Sequence, residues 1–255
     1  MKKNNYPLNI EKQQEDIYSE SIGKLSRSIQ KKVKDEYKNL DSAKFGEIEN
    51  QLYEELGKKF LTYEYLSLQF ENIGKLLDAW TYARVKGYIQ KAMMQNKRKF
   101  YSIVFEKDDP MIQDFMQAYV KKNIELVQAL GKKYIPQISQ LASKTFVEGG
   151  STKDLAYQML KFTNENKNKA KFYARDLLGD CYSDFTKVRQ TSVGITEYTW
   201  ATMKDNAVRE THQELEGRIF NWIKGASETG LLDKPGARHP SEDWSCRCQA
   251  SPIIE

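Results

Sequence analysis

Apolar side chains return every three or four positions through most of the first 190 residues, a period that excludes an all-β chain. From Leu66 the stripe runs Leu66, Phe70, Ile73, Leu77, Trp80, then Arg84 and Tyr88, with Lys75 and Asp78 off it. That spacing puts one face of a helix against a core. A thinner seam (Ile17, Ile22, Leu25, Ile29, Val33) lies among many charges between Ile10 and Leu40. It predicts a long polar helix that needs a packing neighbour. Asp108-Asp109-Pro110 predicts a fresh helix start, since Pro suits the first turn and acids favour the positive end of the helix dipole. The stripe Ile112, Phe115, Tyr119, Leu126, Val127, Leu130 follows, and Pro136 is expected to kink or restart the helix. Gly149-Gly150 should stop it, with Ser151 capping a short helix that turns Leu155 and Met159 inward. After a polar loop at Thr163 to Lys169, a strong helix is expected through Ala170, Tyr173, Leu177, Cys181, Phe185 and Val188, ended by Gly194.

At Ile195 the period changes. Ile195 to Trp200 alternates and is rich in β-branched and aromatic residues, which predicts a strand. Asp205 is placed to cap a helix over Asn206 to Leu215, ended by Gly217, and to pair with Arg209 one turn later. Arg218 to Trp222 alternates again, and Cys246 to Ile253 is expected as a closing strand. The fold class is therefore α+β, predominantly α-helical. Three regions are expected: an N-terminal helical region over 1–105, a helical body over 106–194 and a small α+β domain over 195–255.

The chain has 255 residues, 40% hydrophobic and 12% aromatic, enough to fill cores. Three cysteines are too few for a disulfide scaffold. Met1 to Glu20 has no apolar core of the kind a secretory signal needs, and no apolar run is long enough to span a membrane. A soluble protein made in a reducing cytoplasm is expected. The net charge of +5 hides a local concentration. Between Arg84 and Lys107 stand Arg84, Lys86, Lys91, Lys97, Arg98, Lys99 and Lys107 against the single acid Glu106. These cations, with Tyr88, Phe100 and Tyr101 among them, are candidates for contact with DNA phosphates or an acidic partner, without base readout.

Both histidines and two cysteines fall near the C-terminus. His212, His239, Cys246 and Cys248 carry the ligand types of a tetrahedral zinc site, although their spacing matches no common zinc finger. Two residues along an extended strand are roughly 6.5 Å apart, too far for two thiolates on one metal unless a turn tightens the chain. Burial of Cys246 and Cys248 beside His212, with Arg247 facing out, is expected to secure the closing strand, and a bound zinc is the alternative. Cys181 lies on an apolar helical stripe and is expected to be core. Asp205 and His212, two helical turns apart at roughly 10 Å, cannot form a catalytic pair. With no nucleophile elbow, P-loop or HExxH present, no enzymatic activity is expected and no cofactor is required.

The order Gly194-Ile195-x4-Trp200-x4-Asp205-x2-Val208-Arg209-x2-His212-x4-Gly217, then Pro235-Gly236 and Cys246-Arg247-Cys248-x3-Pro252, resembles the phage head morphogenesis family, the Mu F-like minor head proteins. Asn123-x2-Leu126, Gly149-x5-Leu155 and Ala170-x3-Ala174-Arg175-Asp176 extend the resemblance back to about Lys121. It implies a non-enzymatic minor head component of a tailed bacteriophage in the virion, near the portal vertex, assembled in the host cytoplasm. Its implied partners are the portal protein and, beyond it, scaffold or major capsid protein; its implied roles are head morphogenesis, DNA packaging or ejection. Trp200 would then be a core anchor, Asp205 and Arg209 a local pair, Gly217 a helix end, and His212 with Cys246 and Cys248 the fastening of the last strand. Some family members carry a Cys-x-x-Cys pair where this chain has Arg209-x-x-His212. Many place His-Pro directly before the Cys-x-Cys, whereas five residues separate His239-Pro240 from Cys246 here. The reading from a different class is a zinc-stabilised nucleic-acid-binding protein.

Overall fold

The structure, a computed structural model, describes residues 8–36, 47, 50, 51, 54, 62–96, 110–148 and 152–254. Four long helices dominate: α1 (Leu8–Glu36), α2 (Tyr63–Asn96), α3 (Pro110–Val147) and α4 (Thr152–Thr191). After them come β1 (Glu197–Ala201), the short α5 (Glu210–Gln213), β2 (Ile219–Asn221), a 3₁₀ turn (Ser227–Thr229) and β3 (Gln249–Pro252). The chain is α+β and mainly helical, as its periodicity predicts. Among the described residues no helix is long and apolar enough to cross a membrane.

The chain divides into two compact units: 13–71 with 120–174, and 1–12 with 72–119 and 175–255. The first unit explains the polar face of α1. Asn123, fully buried, accepts from Gln14 Nε2 at 3.2 Å and from Tyr18 Oη at 2.8 Å, and Gln14 also reaches the Ala174 carbonyl at 2.7 Å. A helix whose apolar seam is thin is thus held by satisfied buried hydrogen bonds as well as by Ile22 and Leu25. Thr163 makes a second junction. Its hydroxyl donates to the Met159 carbonyl, so it accepts from Tyr134 Oη at 2.5 Å and Ser26 Oγ at 2.7 Å.

That junction corrects two expectations. Residues 163–169 are helical and α4 is continuous through them: Thr163 bonds inward, Asn166 donates to the Phe162 carbonyl, and Asn164, Glu165, Asn168 and Lys169 lie on the exposed face. Pro136 does not restart the helix, because α3 runs through it as one element. A proline inside a helix costs about 3 kcal/mol, and the complete burial of Tyr134 and Ile135 beside it offsets that cost. The helix start at Pro110 is as read from the sequence. Asp108, Asp109, Gly149, Gly150 and Ser151 lie outside the described residues.

In the second unit α2 and the end of α4 share a buried ion pair. Arg189 Nη2 sits 2.7 Å from Asp78 Oδ1 with the guanidinium over the Tyr82 ring, and Trp80 packs on Tyr182. The end of α4 supports a three-stranded antiparallel sheet in the order β2-β1-β3. Tyr198 faces Phe220 and Pro252, and Trp200 faces Ala250. Alternation along β1 sends Tyr198 and Trp200 inward, where they join Leu215, Trp222, Ala226, Cys246, Cys248 and Ala250 in one core. Gln190 on α4 ties the layers, donating to the Ala250 carbonyl at 3.0 Å and accepting from Trp222 Nε1 at 3.0 Å.

Candidate functional site: a histidine and two thiols beside a cavity

The sequence between Asp243 and Cys248 is too tightly turned to be a strand. Ser241 and Ser245 hold left-handed φ values of 74° and 47°, and Cys246 N closes a turn on the Asp243 carbonyl. The expected strand from Cys246 therefore begins only at Gln249. The turn draws Cys248 N to 3.4 Å from Cys246 Sγ, and both sulfurs point at one atom. His212 Nδ1 is 3.6 Å from Cys246 Sγ and 3.6 Å from Cys248 Sγ. All three residues are buried, and none of Cys181, Cys246 and Cys248 is in a disulfide.

His212 is carried by α5, which is shorter than the expected Asn206 to Leu215 helix. Asp205 Oδ1 and its carbonyl accept from Ala207 N and Val208 N, so the chain turns once before α5 begins at Glu210. Asp205 does not pair with Arg209. It holds Arg247 through two bonds of 2.9 and 2.7 Å, so Arg247 is engaged along the surface rather than facing free solvent. Arg209 instead donates to the Trp244 carbonyl and lies 3.4 Å from Asp243 Oδ2. Gly217, at φ 76°, donates to the Trp200 carbonyl at 2.8 Å and turns the chain into β2. Trp200 is fully buried, the anchor expected from the motif.

The acid on His212 is Asp243. Its Oδ2 is 2.9 Å from His212 Nε2, and its two oxygens also accept from Asp233 N, Lys234 N and Trp244 N. Burial alone would raise this carboxyl, but His212 and the three backbone N–H groups hold it well below the usual carboxylate range. Burial likewise opposes charge on His212, yet the bond to Asp243 and the Cys246 sulfur outweigh it and the imidazole is pushed up to about 9. Burial would raise the Cys246 thiol, but hydrogen bonds from Cys248 and His212 bring it well below its ordinary value, while its neighbour and burial drive Cys248 upward. These neighbours favour charge on His212 and on Cys246 and oppose it on Cys248. A cavity of about 230 Å³ opens on it, lined by Met203, Ala207, Val208, Arg209 and Arg247 besides the cluster itself.

His239 is not part of this group. Its Nδ1 is 2.9 Å from Tyr198 Oη and its ring packs on Trp222. Sequence reasoning misses Asp243 and also Asp176, whose carboxylate binds Lys234 Nζ at 2.8 Å and Ser245 N at 3.2 Å, clamping the site's two loops to α4. Asp180 adds a second bond of 2.8 Å to Lys234. In the sequence Asp176 stands out only as the last residue of the Ala170-x3-Ala174-Arg175-Asp176 run. Cys181 is buried on α4, away from any ligand group of the cluster.

Of the basic window, Arg84, Lys86 and Lys91 are described and Lys97, Arg98 and Lys99 lie outside the described residues. Arg84 stacks on Trp80 and Tyr88 and donates to Tyr88 Oη at 3.0 Å, and Lys86 lies over Tyr82. Tyr88 is thus already occupied by its own helix rather than open to a base.

A small sheet closed by a histidine and a Cys-x-Cys turn, mounted on the end of a long helix, defines the class of closing domain seen here. Residues 137–251 match the family described as Phage Mu protein F like protein. A protein of Haemophilus influenzae, described as uncharacterized, is 29% identical over 149 residues, 58% of this chain and 32% of that protein. The chain thus matches less than half of that relative's length. No solved structure matches the chain.

Proposed function

We propose that this chain is a minor head protein of a tailed bacteriophage, seated at or near the portal vertex and acting in head morphogenesis, DNA packaging or ejection. The observation that carries the reading is the match over residues 137–251, in which Trp200, Cys246 and Cys248 share one core, His212 packs on Trp200 and Gly217 turns the chain into β2. The role is architectural and not enzymatic. The carboxylates around the site are spent on structural partners: Asp243 on His212 and three backbone N–H groups, Asp205 on Arg247, Asp176 on Lys234 and Ser245. Surfaces for assembly are available beside it. Ile219 on the edge strand β2 and Ile223 just after it are 61% and 82% exposed, apolar area that a partner would cover.

The partner is the portal protein, with scaffold or major capsid protein as further contacts. The reading as a zinc-stabilised nucleic-acid-binding protein is the weaker one, because Arg84 and Tyr88 are engaged with each other rather than presented for stacking. Nonspecific DNA contact through the remaining cations fits a packaging role. Mixing the purified chain with portal rings at physiological salt and resolving the mixture by size exclusion is the test. Co-elution with the ring supports the proposal. Tight, salt-sensitive DNA binding without any portal co-elution overturns it.

A further inference from the structure

We propose that His212 Nδ1, Cys246 Sγ and Cys248 Sγ bind one zinc ion, with the fourth coordination position facing the cavity beside Met203, Val208 and Arg209. The inference is independent of the head-assembly reading and stands on geometry. Zinc–sulfur and zinc–imidazole bonds of about 2.3 and 2.0–2.1 Å at a tetrahedral angle put nitrogen and sulfur about 3.6 Å apart. Both nitrogen–sulfur distances are 3.6 Å, and all three ligand atoms lie within 4.8 Å of one another. One imidazole nitrogen has one lone pair or one proton to offer, so it can satisfy one sulfur by hydrogen bonding. Two sulfurs equidistant from it are what a shared metal requires.

The surroundings fit the same conclusion. Asp243 takes His212 Nε2 at 2.9 Å and is itself fixed by the backbone N–H groups of Asp233, Lys234 and Trp244. A carboxylate behind a ligating imidazole sets the tautomer and the ring orientation, leaving Nδ1 for the metal. Asp243 is thus a positioning residue. Two thiolates and an imidazole form a ligand set that suits zinc and disfavours magnesium or calcium. The two thiolates balance the charge of the ion. The turn between Cys246 and Cys248 removes the strand separation that would keep their sulfurs apart. His239, the fourth ligand expected from sequence, is held by Tyr198 and Trp222 instead. With three protein ligands, the cavity supplies the fourth position to a water or a small anion.

The test begins with the full chain purified under reducing conditions without chelator, and needs no variant. Elemental analysis should give one zinc per chain. Cobalt exchanged into the site should show tetrahedral ligand-field bands with sulfur-to-metal charge transfer. Added azide should shift those bands, because the fourth position is open. Cys246→Ser with Cys248→Ser should abolish the bound metal, whereas Cys181→Ser should keep it. Asp243→Asn should lower zinc affinity roughly 10- to 100-fold in a chelator competition. Zinc that stays substoichiometric after reconstitution overturns the proposal, as does stoichiometric zinc in the double serine variant. Cobalt bands indifferent to azide overturn the open position.

Discussion

His239 should make the closing domain lose stability as pH falls, and the size of the loss follows from its surroundings. The residue is 2% exposed, packed on Trp222 and bonded to Tyr198. Burial first, then the charges of Lys187 and Arg238, push its imidazole down to about 4. In the unfolded chain it titrates near about 6.5. Below that value the unfolded state takes up a proton that the folded state refuses, so stability falls until pH reaches the folded value. Between about pH 8 and about pH 5 the loss is about 2 kcal/mol, and it approaches about 3 kcal/mol below pH 4. His212 works in the opposite sense. With no metal on Nδ1, its folded value near 9 gives stability that is complete below about 6.5 and lost as pH rises through 9. The wild-type curve alone would blend the two. His239→Asn keeps a polar atom near the Tyr198 hydroxyl and removes the titration, so the wild type minus the variant isolates His239. Urea unfolding followed by the fluorescence of Trp200 and Trp222, at a series of pH values, supplies both curves. Parallel curves from pH 8 to pH 5 would refute the reasoning.

Four further outcomes are expected. Gly179→Ala should destabilise by about 1–3 kcal/mol in thermal melting, because a Cβ there would sit 2.6 Å from the Ser241 carbonyl oxygen, held by a left-handed residue. The helix-propensity gain of about 1 kcal/mol is the smaller effect, and an unchanged or raised melting point would contradict this. Asp243→Ala strips a buried acceptor from three backbone N–H groups and from His212, costing about 3–5 kcal/mol in denaturant unfolding. Asp233→Ala, at the exposed rim of the same loop, should stay within about 0.5 kcal/mol of wild type. For DNA binding, neutralising Lys86, Lys91, Lys97, Arg98 and Lys99 together should flatten the salt dependence by about one unit of slope for each phosphate that is no longer neutralised. An unchanged slope would mean that these cations face only solvent.

Much of this architecture is legible in the sequence because it follows from periodicity. The stripe from Leu66 to Leu77 and the change of period at Ile195 mark α2 and β1, and motif order alone links Trp200 with the Cys-x-Cys turn. Where periodicity says nothing, the reading stops. Thr163 has the character of loop sequence, yet a polar residue can be helical when its hydroxyl is consumed by Tyr134, Ser26 and its own helix. Spacing alone pairs Asp205 with Arg209. The chain turn before Glu210 sends Asp205 to Arg247 and Arg209 to Asp243, a choice made by tertiary packing. Asp243 itself lies in a loop of serines and acids with no pattern to single it out. Its importance comes from left-handed residues on either side that aim its carboxylate inward.

The head-assembly reading is tested most directly on the particle itself. Quantitative mass spectrometry of gradient-purified heads, from a phage carrying this gene, counts the chain against the portal and the major capsid protein. The account predicts that the chain is present in the head at a level comparable with the portal and far below the major capsid protein. Its absence from both procapsids and mature heads would contradict the account.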